Sequence, residues 1–158
     1  MLGLYFDEIE TGLAVELGSY RFTRENVVTF ARKFDPQPFH VDDAAAAIGP
    51  FGKLAASGWH TAAGWMKCYV ASNQAAEAKR RAEGKAVALA GPSPGFTNLK
   101  WLKPVFPGDT LSYRSTITGK REMLARPNWG LVFSFNEGFN QNGELVFSHE
   151  DKVLVARR

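Results

Sequence analysis

One long stretch of helical periodicity, Ser57 to about Glu83, is followed only by alternating segments, and this change of period limits what the chain can fold into. Trp59, Ala62, Ala63, Met66, Tyr69 and Val70 recur at i, i+3, i+4 spacing and predict a long helix with one apolar stripe facing the core. After Lys85 the period becomes two. Leu111, Tyr113, Ser115 and Ile117 alternate with Thr110, Ser112, Arg114 and Thr116, and Leu131, Phe133 and Phe135 repeat the pattern. Asn142-Gly143, a strong hairpin signal, precedes a last apolar segment from Leu145 to Val155. Strands are predicted near 86–91, 95–103, 109–121, 130–140 and 144–156, as an antiparallel meander. The expected class is α+β, with an antiparallel sheet wrapped around a long central helix that buries one sheet face.

The N-terminal half supplies smaller pieces. Leu4, Tyr5, Phe6 and Ile9 are too short and irregular a set to stand alone, so residues 1–12 are expected to lie as an arm across a single domain of residues 1–158. Leu13 to Phe22 reads as a first strand. Thr23 then caps a helix whose Val27, Phe30, Ala31 and Phe34 share a face, and that helix delivers Asp35 to its C-terminal end. Pro36 and Pro38 bias the chain toward an extended, stiff exit. A short alanine-rich helix from Asp42 to Ala47 is closed by Gly49-Pro50. The charged stretch from Ala75 to Lys85 is expected to project into solvent or form a lid before Gly84 stops it.

Composition removes several classes of function. With 158 residues and 45% hydrophobic content the chain can build one core without disulfides. Its charge of +3 comes from 19 basic and 16 acidic residues spread along the chain, and the only tight basic run, Lys79-Arg80-Arg81, is flanked by Glu77 and Glu83. No nucleic-acid partner is expected. Phe96, Trp101 and Phe106 stand at strand spacing beside Leu99 and Leu102 and are expected in the core, not on a stacking surface. Cys68 has no partner for a disulfide or zinc site. No apolar run reaches the roughly 20 residues of a membrane span, and Asp7, Glu8 and Glu10 do not make a secretory start, so a cytoplasmic protein without membrane contact is expected.

The chemistry concentrates in Phe34-Asp35-Pro36-Gln37-Pro38-Phe39-His40 and in Ala56-Ser57-Gly58-Trp59. A carboxylate and an imidazole on one short loop can share a water or a substrate proton as a general acid/base pair. Equally, Asp35 can simply end its helix while His40 caps the Asp42-Asp43 turn. Asp35, His40, Asp42 and Asp43 include metal-ligand types, but no second histidine stands at ligand spacing and no metal is expected. Gly58, at the first turn of the long helix, leaves N–H groups free toward an oxygen gaining negative charge. Ser57-Gly58 also suits a plain N-cap.

Phe34 to Asp42, the turn Ala56 to Thr61, and the later Phe96 to Asp109 resemble, in order and spacing, the MaoC-like dehydratases, which include the R-specific enoyl-CoA hydratases. The resemblance covers most of the chain from about residue 13. It implies a hot-dog fold and cofactor-free hydration of a trans-2-enoyl thioester, or dehydration of a 3-hydroxyacyl thioester, carried by coenzyme A or an acyl carrier. It implies Asp35 and His40 as the catalytic pair, the N–H at Gly58 as the oxyanion donor, Ser57 and Trp59 as substrate contacts, and a homodimer or dimer of dimers. The sequence departs from the family where Gln37 replaces an asparagine and where Ser57-Gly58-Trp59 replaces His-Gly-Met. A hot-dog acyl-CoA thioesterase and a non-catalytic acyl-thioester-binding module are the alternatives.

Overall fold

Thr23 opens helix α1 (Arg24–Phe34) by accepting the Asn26 N–H, and Ser57 opens α4 (Gly58–Ala82) by accepting that of Trp59. These two caps fix where the chain enters α1 and α4. The computed structural model describes residues 2–158; Met1, the first residue of the expected arm, lies outside the described residues. The remaining elements are β1 (Ala14–Arg21), two short helices α2 (Pro38–Val41) and α3 (Asp43–Ala47), and strands β2 (Gly95–Trp101), β3 (Thr110–Glu122), β4 (Trp129–Phe139) and β5 (Leu145–Ala156). The strands form one antiparallel sheet in the order β1-β3-β4-β5-β2.

Three sequence expectations need correction here. Residues 86–91 do not form a strand. Only Ala90 makes an isolated bridge to Val155, because alternating alanines give a neighbouring strand little to pack on and Pro92 carries no N–H for a ladder. The meander covers β3, β4 and β5 alone, while β2 pairs with β5 at the sheet edge. The exit from α1 is extended only through Gln37: Pro38 takes the first position of α2, where its missing donor costs nothing and its fixed φ suits a helix.

The 25-residue α4 lies on the sheet with an unexpected face inward. His60, Thr61, Gly64, Trp65 and Cys68 are buried, whereas Trp59, Met66 and Val70 of the apolar stripe are each 42–50% exposed. Small residues on the inner face allow a close approach: the Tyr113 hydroxyl donates to the Thr61 carbonyl at 2.9 Å, and a Cβ on Gly64 would lie 2.8 Å from that hydroxyl. One core cluster joins Phe22, Val27, Trp65, Tyr113 and Phe147 between helix and sheet.

A second cluster, with Phe6, Ile9, Val132 and Val155, closes the far end of the sheet with the N-terminal segment. Phe6 packs where Gly130 lacks a side chain, since a Cβ there would fall 2.0 Å from its ring. The end of α4 and the turn after it are exposed at Ala78, Lys79 and residues 81–86, as expected of a solvent-facing segment, but are anchored at Arg80. Arg80 pairs with Glu8 at 3.0 Å and donates to the Ala86 carbonyl, which ties the helix end to the N-terminal turn. No helix among the described residues is long and apolar enough to cross a membrane.

Candidate active site

Asp35 ends α1 in a non-helical conformation, and its carboxylate is held from three directions. The Ser57 hydroxyl donates to Oδ2 at 2.6 Å, the Gln37 amide donates to Oδ1 at 2.8 Å, and His40 Nε2 stands 3.5 Å from Oδ2. Burial pushes the Asp35 carboxyl up, but the hydrogen bonds from Ser57 and Gln37 and the charge of His40 outweigh it and hold the group below the usual carboxylate value. Gln37, the departure from the family pattern, thus acts directly on the carboxylate.

His40 belongs to α2 and is buried. Its Nδ1 lies 2.7 Å from the Ala55 carbonyl, an acceptor only, so Nδ1 carries the hydrogen and Nε2 faces Asp35. The pair can therefore hold a water and exchange a proton with it.

The first turn of α4 leaves the Gly58 N–H open. The Trp59 N–H donates to Ser57 Oγ at 3.2 Å, and the His60 and Thr61 N–H groups donate to the Ser57 carbonyl at 2.9 and 3.3 Å. The Gly58 N–H, one of the groups that start a helix without an intrahelical partner, has no acceptor among the described residues. Asp35, His40, Gly58, Trp59 and Trp101 line one cleft of about 470 Å3, with Leu102 and Lys103 on its rim.

Ser57, expected among the substrate contacts, is fully buried and does not line the cleft; its hydroxyl is used on Asp35 and on the Trp59 N–H. Trp59 is half exposed and does line it. Trp101 is the residue that sequence reasoning missed. It was expected in the core but is 45% exposed at the cleft, with its Nε1 donating to the Gly58 carbonyl at 2.8 Å. Phe96, expected beside it in the core, is likewise exposed.

Known proteins carry similar chains. A family model described as a MaoC like domain matches residues 9–128. Over 64 residues, 40% of this chain, the sequence is 44% identical to the mesaconyl-CoA hydratase of Cereibacter sphaeroides, and that match spans 18% of the relative's length. The MaoC-like dehydratase from Rhodospirillum rubrum superposes with a TM-score of 0.80 at 33% identity, covering 98% of both chains. The unliganded R-hydratase PhaJ1 from Pseudomonas aeruginosa, at 21% identity, shares the fold with a TM-score of 0.68 over 98% of this chain and 86% of that one.

Proposed function

Because the chain belongs to the MaoC-like domain family, with its hot-dog fold, we propose that it adds water across the double bond of a trans-2-enoyl thioester, or removes it from a 3-hydroxyacyl thioester. The observation that carries this reading is that Asp35, His40 and Gly58, whose N–H has no acceptor among the described residues, line one cleft. The thioester oxygen meets the Gly58 N–H, which draws electron density from the conjugated double bond and makes C3 electrophilic. A water between Asp35 Oδ2 and His40 Nε2 gives up a proton to that pair as its oxygen bonds to C3. The electron pair moves toward the thioester oxygen, and the proton returns to C2 as that pair comes back. The net change is one water added and no cofactor consumed. The reverse path dehydrates.

The carrier is proposed to be coenzyme A or an acyl carrier protein, and the working assembly a homodimer. The outward apolar face of α4, with Trp59, Met66 and Val70, runs beside the edge strand β2 with Phe96, and a second copy would cover both. Light scattering should give twice the chain mass, and a stable active monomer at micromolar concentration would refute the assembly.

The reaction is tested on enoyl-CoA thioesters of graded length, following loss of the enoyl absorbance beside release of free thiol. Loss of absorbance without thiol is the expected result. Thiol release with the double bond intact would assign a thioesterase, and neither signal on any substrate would leave a binding module.

A further inference from the structure

A donor that stabilises developing charge works only if its direction is fixed beforehand. Glycine is the residue least able to fix it, because without a Cβ the peptides on either side rotate freely. At this turn other groups supply the restraint. The Ser57 carbonyl, on the peptide that carries the Gly58 N–H, accepts from His60 and Thr61. The Gly58 carbonyl, on the next peptide, accepts from Trp101 Nε1 at 2.8 Å and from Thr61 Oγ1 at 2.6 Å. Both planes that meet at the Gly58 Cα are thereby tied.

Trp101 also fills the volume that a side chain would take. A Cβ on Gly58 would lie 2.5, 2.6 and 2.7 Å from Cε2, Cδ2 and Nε1 of the indole. The ring thus occupies the Cβ direction, while the Gly58 N–H keeps no acceptor among the described residues. Trp59 braces it edge-on, with ring centroids 5.2 Å apart.

We propose that Trp101 is a positioning residue for the Gly58 N–H, acting on the reaction through that donor; the proposal rests on the hydration reading above. Its indole stands in for the missing side chain of Gly58, with a hydrogen bond on the carbonyl side and ring contact at the Cα.

The test uses Trp101→Phe, which keeps an aromatic ring and removes the N–H, with crotonyl-CoA as the probe. The full-length variant should melt like the wild type, keep KM within about twofold and lose about tenfold in kcat, less than the loss of an oxyanion donor outright. In amide NMR spectra the Gly58 N–H should shift or broaden relative to wild type. With an active wild type, unchanged kcat in the variant, or a fall in kcat with the Gly58 signal unmoved, overturns the proposal. If the wild type hydrates no enoyl thioester, the hydration reading fails by itself, and the Gly58 signal alone decides: movement supports the positioning role and its absence overturns it.

Discussion

His40, in α2, and His60, in the first turn of α4, are both buried, at 5% and 3% exposure. His40 is anchored through Nδ1 to a carbonyl and presents Nε2 to a carboxylate in an open cleft. His60 stacks on Phe30 with centroids 4.5 Å apart and meets Tyr20 and Phe22 edge-on; its Nε2 is 3.3 Å from the Tyr20 hydroxyl and its Nδ1 has no partner. Burial pushes its pKa down to about 4, so it stays neutral. Equal burial thus accompanies two different surroundings. What separates them is a facing carboxylate and an adjoining cleft at His40.

The largest effect should come from the cleft side. His40→Gln and Asp35→Asn are each expected to lower turnover on an enoyl thioester by roughly 10²–10⁴-fold, the range for a positioned acid or base, with melting little changed. Steady-state kinetics beside thermal melts check this, and a normal rate per folded molecule would make His40 a second His60. Gly58→Ala is expected to cost about 10²-fold, because the new Cβ drives Trp101 off its place and disturbs the open Gly58 donor.

His60→Phe should move stability instead of turnover. The folded His60 resists protonation while the unfolded chain takes up protons below about 6.5, so wild-type stability is full above that pH and falls as pH drops toward about 4. At pH 5 this amounts to about 2 kcal/mol. Denaturant melts should show the variant lacking that loss between pH 6.5 and 4, with turnover at neutral pH kept. A parallel slope in both proteins would contradict the assignment.

The smallest effect is expected for Gln37→Ala. Removing one of the donors that hold the Asp35 carboxyl down should move the acid limb of the pH–rate profile upward by less than about one unit, with turnover at neutral pH reduced only a few-fold.

The site was legible in the sequence because its parts are local. A helix end, two prolines, an N-cap serine and a glycine announce themselves within a few residues, and Asp35, His40 and Gly58 do converge. The packing was less legible. Periodicity gives the phase of a helix but not its partner, so the stripe of Trp59, Met66 and Val70 was expected inward although Gly64 and Thr61 meet Tyr113. Trp101 escaped for a related reason. Alternation counts faces correctly only in an unbroken strand, and β2 shifts register between Thr97 and Lys100, with Asn98 at a φ of 53°. The place of β2 beside β5, a pairing across more than forty residues, has no local signal either.

The central claim is that Asp35 and His40 act on one water as a unit. It is tested most directly by comparing turnover of Asp35→Asn, His40→Gln and the double variant on crotonyl-CoA, each corrected for folded fraction. If they act as a unit, the double variant should fall within about threefold of either single one, since removing one partner already leaves the water unactivated. Losses that multiply in the double variant, or a single variant that keeps wild-type turnover, would contradict it.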